Sequence, residues 1–552
     1  EMLLRNASTP YPTDGAPASA YPVVTKQHWV FKCLSTMARG TGEGFIAISP
    51  DGTQYQFDWM VTRYYPVVAK PTVEPTSLPT GVGEGVIRPN VNLGYLLQRS
   101  EVWILPTVIT DRFGNKVRYT YDSANPWQLK SIQDSDTASS PRLITFNYTA
   151  GTNLVSSISQ GNRKWDYSYR TITGGSALSG VKLPDGSKWT FNLDALTVTG
   201  GLSLGGGSCD GDISLNGAVR TGTIDHPSGA RGTFKIAGTQ HGRSHVERQC
   251  RGNPADGDWS YFPLYIDAFS LQSKTIGGPG LPDATWSYQY GPANASFSPC
   301  SGCPTTKTVT VTDPRDVATR YTFGNRHRVN EGQLLQIDEG WNGSTALRTV
   351  VRQYRAAGAP GYADPVGTSP QSRQQGELAY RLTPEERKVT TQQGATFSWS
   401  GSGWDSFARP TLVTRASSLG DSRTEALVYF DQTAKWVLGQ TRSVTETGTG
   451  LAMESHDYQA STGNRIASYS FGRLVNRFDY YADGTLKSRL DPLGRGATFS
   501  NYKRGLAQNV AYVGGGSESA SVDDSGLITW VINAAGTKTS YGYDLGGRLS
   551  LI

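Results

Sequence analysis

Glycines recur at a fixed interval near the end of this 552-residue chain. Each of two sets has members 21 residues apart: Gly484, Gly505, Gly526 and Gly547, and Gly494, Gly515 and Gly536. A fixed period of about 20 to 25 residues is typical of stacked repeats, in which each unit buries its apolar face against its neighbours. The spacing therefore predicts a repeat array, which constrains the fold more than any other feature of the sequence.

Each repeat has the pattern of a β-hairpin. Large rings alternate with small residues as in a half-buried strand, residues that tolerate positive φ follow, and a second alternating strand begins. An Asp-Gly pair at Asp483 and Gly484 is a strong hairpin signal. One hairpin cannot bury its apolar face alone, so the units are expected to pair edge to edge in one sheet. The clearest copy of the motif consists of Tyr541, Tyr543, Asp544, Gly547, Arg548 and Leu549.

Looser copies extend the array toward the N-terminus. Tyr119, Tyr121 and Asp122 repeat the start of the motif, and pairs of aromatic residues two positions apart recur from about residue 55 to 543. We therefore predict an all-β protein. We divide it into an irregular segment with the first strands and a Pro-rich loop over 1–92, repeats over 93–355 with a Gly-rich insertion near 200–260, and repeats over 377–552. The last strand is cut at Ile552, so we expect a piece of a longer polypeptide.

Composition excludes several classes of protein. With 64 Gly, 29 Pro and 11% aromatic residues, the chain has too many turn residues for a helical protein and too many rings for a disordered one. The net charge of +6 comes from scattered basic residues without a clustered stripe, so we expect no nucleic-acid partner. No run of 18 apolar residues predicts a membrane span.

The sequence carries no recognisable catalytic motif. It lacks a nucleophile elbow, a Walker loop, an HExxH motif and an EF-hand loop, and its acidic pairs, such as Glu385 and Glu386, are typical of solvated faces or turns. We therefore predict a protein that is not an enzyme and that needs no cofactor or metal.

Four of the five cysteines form two candidate pairs. Cys209 and Cys250 flank the Gly-rich insertion, where a disulfide would close a loop and constrain the unfolded chain. A metal site with nearby histidines, or unpaired thiols, are the alternatives there. Cys300 and Cys303 form a lone CxxC followed by a strand pattern rather than a helix, which favours a local disulfide or half of a structural zinc site over a redox role.

The motif ending in Tyr543-Asp544-x-x-Gly547-Arg548 resembles the YD repeat of the Rhs family. That family includes bacterial Rhs and wall-associated proteins, toxin-complex shells and animal teneurins. The resemblance implies a long antiparallel sheet that spirals into a hollow, β-solenoid-like cocoon. It also implies that the shell encloses a C-terminal toxin or other cargo of the same polypeptide, with a capping or secretion partner, outside a bacterial cell or on its surface. The alternative function is an adhesion or carbohydrate-binding module whose exposed rings contact a glycan.

Overall fold

The computed structural model describes residues 2–69, 96–135, 142–197, 218–248, 250–253, 257–260, 262, 264–356, 359, 366–368 and 382–552. Helix is almost absent from these ranges: they contain a 3-10 turn at Ala18–Ala20 and a four-residue α1 at Asp194–Thr197. Strands account for 60% of the chain and helix for 1%, which confirms the all-β prediction. No helix in this part of the chain is long and apolar enough to cross a membrane.

The strands of these ranges, in chain order, are β1 (Leu3–Arg5), β2 (Val23–Val24), β3 (Val30–Leu34), β4 (Gly44–Ile48), β5 (Gln54–Ala69), β6 (Leu96–Thr110), β7 (Lys116–Tyr121), β8 (Leu129–Asp134), β9 (Leu143–Tyr148), β10 (Val155–Gln160), β11 (Arg163–Ile172), β12 (Gly175–Lys182), β13 (Lys188–Asn192), β14 (Arg220–Asp225), β15 (Arg231–Gly242), β16 (Val246–Glu247), β17 (Cys250–Asn253), β18 (Gly257–Ser260), β19 (Tyr265–Gly278), β20 (Leu281–Tyr290), β21 (Phe297–Ser298), β22 (Thr306–Thr312), β23 (Ala318–Gly324), β24 (Leu334–Glu339), β25 (Arg348–Tyr354), β26 (Gly367–Thr368), β27 (Glu385–Gln392), β28 (Ala395–Trp404), β29 (Pro410–Ser417), β30 (Ser422–Gln432), β31 (Val437–Glu446), β32 (Ala452–Tyr458), β33 (Arg465–Ser470), β34 (Arg473–Tyr480), β35 (Leu486–Leu490), β36 (Gly496–Lys503), β37 (Leu506–Tyr512), β38 (Ser517–Val522), β39 (Ile528–Ile532), β40 (Lys538–Ser540), β41 (Gly542–Tyr543) and β42 (Leu549–Leu551).

One antiparallel sheet of 36 strands contains nearly all of them. Each strand pairs with the sheet strand before it and the one after it, so the chain runs through the sheet as one continuous meander. The short β26 pairs with β1 at one edge, and β40 pairs with β39 at the other. Within the described residues these edges do not pair with each other, so the sheet matches a β-rich shell that is not closed.

The sheet is a single layer for most of its length. In β7 and β34 exposed residues alternate with half-buried ones, and full burial is rare. The accessible surface of 31430 Å² is well above the roughly 19,000 Å² of a compact monomer of 59.7 kDa. Both faces of the sheet therefore remain accessible to solvent, as in a wall rather than in a two-layer sandwich.

Part of the segment expected to be an insertion belongs to this wall. β14 and β15 lie within 200–260, yet β14 pairs with β13 and β15 pairs with β19 in the main ladder. Their Thr and Gly residues fit a pleated sheet as well as a loop, which is why composition alone placed them outside the wall. Residues 198–217 lie outside the described ranges.

One hydrophobic core lies where the beginning of the chain meets later strands. We call this cluster the N-terminal core; its buried members are Leu3, Tyr21, Val24, Val30, Ile48, Val366, Leu382, Ala408 and Trp436. They come from segments far apart in sequence, so this core forms only when those segments are brought together.

Candidate functional site: the wall and its seam

Seven hairpin turns of the wall share one geometry. At Asp491 the backbone forms a three-residue loop: Gly494 N donates to Asp491 O at 3.0 Å, and Gly494 has a φ of +76°. A type I turn followed by a residue of positive φ is the usual form of such loops, and glycine adopts that φ without a steric penalty. Asp491 Oδ1 also accepts the N–H of Arg495 at 2.8 Å. The same bond from the residue four positions on recurs at Asp111, Asp313, Asp405, Asp523, Asn533 and Asp544.

The second tyrosine of the repeat motif connects neighbouring strands. Tyr121 Oη donates to Pro106 O, and Tyr543 Oη donates to Ile528 O, both at 2.8 Å. Pro106 belongs to β6, the strand before Tyr121, and Ile528 belongs to β39, two strands before Tyr543. The same donation is made by Tyr148, Tyr169, Tyr290, Tyr354, Tyr429, Tyr458, Tyr480 and Tyr502. Each such bond adds about 0.5 to 1.5 kcal/mol and fixes the ring against the sheet.

These tyrosines also mark irregularities in the ladder. The register shifts beside Tyr121, Tyr169, Tyr429, Tyr458 and Tyr480 where their strands meet the next one. A β-bulge bends its strand and increases the local twist. Since the irregularity recurs along the sheet with the motif, the bends add up and curve the wall.

The curvature brings the later hairpins back against the earlier ones. Asn115 Nδ2 donates to Asp483 O at 2.9 Å, and Arg504 Nη1 lies 3.3 Å from Asp134 Oδ2. We call the contacts between residues 112–185 and 464–548 the seam. The partners in four of its contacts are 352, 368, 370 and 363 residues apart: Arg112–Asn464, Asn115–Asp483, Asp134–Arg504 and Asp185–Arg548. In successive seam contacts, both residue numbers of the pair increase together along the chain. The later part of the coiled sheet therefore runs alongside the earlier part.

The seam is closely packed in places. The Arg504 side chain is 1% exposed, although its partner Asp134 is 28% exposed. At Gly484 a side-chain Cβ would lie 2.5 Å from the ring of Phe113, so only glycine allows that approach. Three of the four seam hydrogen bonds join two side chains, and the fourth joins the Asn115 side chain to the backbone of Asp483.

In the N-terminal core, as at the seam, strands from the start of the chain contact strands from much later in the sequence. Trp436, 1% exposed, donates from Nε1 to His28 O at 2.7 Å. Leu438 N donates to Pro50 O at 2.8 Å, and Asp51 and Val437 form an isolated antiparallel bridge. The first strands are thus anchored to the strands one turn later.

An arginine holds the hairpin that carries Ala408 into this core. Arg409 donates to both oxygens of Asp431 at 2.8 and 2.7 Å and to Asp405 at 2.7 Å, and it stacks 4.3 Å from the Tyr429 ring centroid. Burial alone would raise the pKa of Asp431, but the bonds from Arg409 and the Gly439 N–H outweigh it and hold that pKa below its usual value.

The motif residues named from the sequence lie in or beside β7 of the 36-stranded sheet and in or beside the two-stranded sheet β41–β42. Tyr119 and Tyr121 are half-buried on one face of β7. Asp122 Oδ1 accepts the N–H groups of Ala124 and Asn125 at 2.8 Å. Tyr541 N donates to Thr529 O, Asp544 pairs with Arg548 at 2.7 Å, Gly547 has a φ of +79°, and Leu549 is half-exposed in β42.

The cysteines fall into three groups. Cys300 and Cys303 are joined in a disulfide, with Cα atoms 5.9 Å apart. Cys209 and the side chain of Cys250 lie outside the described residues, so their pairing stays a prediction. Cys33 is a free, exposed thiol.

Sequence reasoning missed the seam partners. Arg504, Asp134, Arg548 and Asp185 stand at ordinary strand and turn positions, and no local pattern links residues more than 360 positions apart. The recurrence of similar aromatic hairpin units in both regions of the sequence indicated that such stacking was available.

The fold and the seam together define a coiled, single-layer β-sheet wall built from hairpin repeats. No family model and no curated protein matches the chain. Solved structures that match include the Tc holotoxin pore of Photorhabdus luminescens with a mutant TccC3, at 9% identity and a TM-score of 0.25, covering 96% of this chain and 29% of that one. A TcdB2-TccC3-TEV structure matches at 9% identity and a TM-score of 0.25, covering 96% of this chain and 30% of that one. A TcdB2-TccC3-Cdc42 structure matches at 11% identity and a TM-score of 0.20, covering 86% of this chain and 25% of that one. The chain spans less than a third of those chains, and TM-scores this low carry no argument about its function.

Proposed function

We propose that the chain is a non-enzymatic wall that encloses a cargo. The observation that carries this proposal is the seam, where a single-layer sheet returns after one turn and packs against itself. Strands in a ladder lie about 4.8 Å apart with their backbone groups paired, so a folded protease cannot pass between them. Containment requires only this continuity and no catalytic group.

The inner face of the wall can be inferred from crowding. Side chains converge on the concave face of a curved layer and diverge on the convex one. In β7 and β34 the residues on the tyrosine side are half-buried, while those on the other side are exposed. We therefore assign the tyrosine face to the interior.

The resemblance to YD repeats supports the rest of the proposal. The cargo would be a toxin or another segment of the same polypeptide, and the protein would act outside the cell or on its surface. The open edges at β26 and β40 need cover, because unpaired edge strands promote aggregation. A capping partner or a further segment of the polypeptide would supply it.

Solution scattering tests the wall. We expect a radius of gyration clearly above the roughly 24 Å of a compact globule of this length. The variant Arg504→Glu, which places a carboxylate against Asp134, should open the seam and increase the radius further. Arg495→Glu is the matched control, because its partner Asp491 lies in the same hairpin. A wild-type profile that fits a solid sphere would refute the enclosure.

The absence of enzymatic activity has its own test. We expect no turnover of glycan or peptide substrates by the purified chain. Hydrolysis that disappears when one acidic pair is replaced would overturn this part of the proposal and leave the wall standing.

A further inference from the structure

Four side chains form a row across four neighbouring strands, β27 to β30. Lys388 of β27 is the register partner of Trp399, Trp399 of Arg415, and Arg415 of Arg423. Residues directly opposite each other point to the same face, so the row spans three strand spacings, about 14 Å. The row lies on the tyrosine face, because Arg423 and Tyr429 are both in β30 and residues an even number of positions apart in a strand point to the same face.

The row borders a depression of about 480 Å³. Phe397, two residues before Trp399, is 45% exposed there, although the face is otherwise crowded. Hydroxyl groups and one carboxylate complete the lining: Thr390, Ser398, Ser417, Ser422 and Asp421.

The positively charged side chains at the row outnumber the carboxylates beside them. Arg415 and Arg423 face each other, an arrangement that destabilises a sheet unless an anion intervenes. The buried Glu425 accepts hydrogen bonds from Arg415 at 3.2 Å and from Arg423 at 2.7 Å, and one carboxylate neutralises only one of the two cations. Lys388 is exposed and has no ion-pair partner among the described residues. Even with Asp421 ionised, the site keeps a net positive charge.

We propose that this row binds an acidic, extended polypeptide segment of the cargo, an inference that rests on the proposed enclosure. Carboxylates of the segment would pair with Lys388 and the two arginines, and an apolar or aromatic side chain would pack on Phe397 and Trp399. The hydroxyls would donate to peptide carbonyl groups or accept from peptide N–H groups, and Asp421 would accept from peptide N–H groups. A length of about 14 Å matches roughly four residues of extended chain.

The acids in the row favour this occupant over a nucleic acid. A polyphosphate chain needs a continuous stripe of cations, and Asp421 and Glu425 would repel it. A peptide can place its carboxylates opposite the cations and its N–H groups opposite Asp421.

Fluorescence anisotropy with labelled peptides tests the proposal on the purified chain. A short peptide of alternating Glu and Tyr should bind, the Gln–Tyr version about tenfold more weakly, and the Lys–Tyr version not measurably. Lys388→Gln should weaken Glu–Tyr binding about fivefold, the effect of one exposed ion pair. Phe397→Thr should also weaken it. Arg387→Gln is the matched control: Arg387 is exposed, adjacent in sequence, and on the opposite face of the same strand.

Equal binding of the Glu–Tyr and Gln–Tyr peptides, or equal losses in Lys388→Gln and Arg387→Gln, would overturn the proposal. Tighter binding of single-stranded DNA or of glucuronate with the same dependence on Lys388 would also overturn it, in favour of another occupant. The scattering experiment separates the enclosure from the peptide site. A hollow profile without peptide binding would reject peptide binding at the row and leave the enclosure standing. A solid profile rejects the enclosure whatever the peptides do.

Discussion

The C-terminal array, residues 465–552, and the N-terminal core are stabilised in different ways. In the array, strands β33 to β42 contain few fully buried residues, and the local contacts include turn hydrogen bonds such as that of Asp491 and tyrosine hydrogen bonds such as that of Tyr502. The core instead removes side chains such as Leu3, Tyr21 and Trp436 almost completely from solvent.

The difference shows that repetition builds the wall but does not anchor it. In a repeat array the stability is close to a sum of local terms and nearest-neighbour contacts. A single layer buries little apolar surface per residue, so these terms are small. Among the described residues, the N-terminal core is a cluster in which many side chains from the start of the chain and from later strands pack against each other. Replacing residues in each region should therefore have very different effects.

The largest effect is expected from Trp436→Ala in the N-terminal core. Removing this 1%-exposed ring leaves a cavity and an unpaired His28 carbonyl, and should lower the free energy of unfolding by about 3 to 5 kcal/mol. Urea titration followed by circular dichroism measures it. The control Trp103→Ala removes a ring that is 45% exposed and should cost less than about 1 kcal/mol. Equal losses would show that the core is not the anchor.

A pair of glycine replacements isolates the seam from the array. Gly484 and Gly494 have φ values of +89° and +76°, so alanine at either site carries a backbone penalty of about 1 to 2 kcal/mol. Only at Gly484 would the new methyl group meet the Phe113 ring, adding about 1 to 3 kcal/mol. Urea midpoints of Gly484→Ala and Gly494→Ala should differ by this amount. If the two variants unfold together, the seam does not persist in solution.

A smaller effect is expected from Tyr502→Phe within the array. The hydroxyl donates to Leu486 O at 2.6 Å, and its loss should cost about 1 kcal/mol. Tyr64→Phe is the control, because that ring is 69% exposed. Thermal melts of both variants against the wild type measure the difference, and a melt of Tyr502→Phe identical to the control would mean that the hydrogen bond contributes nothing to the wall.

The smallest effect is expected in the pH dependence of stability, which Asp431→Asn should make less steep in acid. Hydrogen bonds from Arg409 and the Gly439 N–H outweigh burial and lower the pKa of Asp431 in the folded protein. A lowered folded pKa adds stability above the ordinary carboxyl value near 3.9, and this stability is lost as pH falls through the folded pKa. Thermal midpoints measured between about pH 2 and 6 should therefore fall less steeply in Asp431→Asn than in the wild type. An unchanged slope would contradict the assignment.

The sequence by itself determined the hairpin unit. Asp491 and Gly494 occupy the turn positions that their side-chain oxygen and positive φ require, and Tyr543 and its equivalents lie where the alternating pattern put a half-buried ring. These features are predictable because each depends on residues within one hairpin. The Cys300–Cys303 disulfide spans three positions and is equally local.

Only the tertiary structure decided where the wall meets itself. Arg504 and Asp134 are 370 residues apart, and their contact depends on the twist and bends accumulated over all the strands between them. A small change in the bend at each tyrosine bulge would move the meeting point by whole hairpins, so no local pattern can encode it. The N-terminal core has the same origin, because Leu3, Val366 and Trp436 lie in short segments without periodicity that become a core only when the coil brings them together.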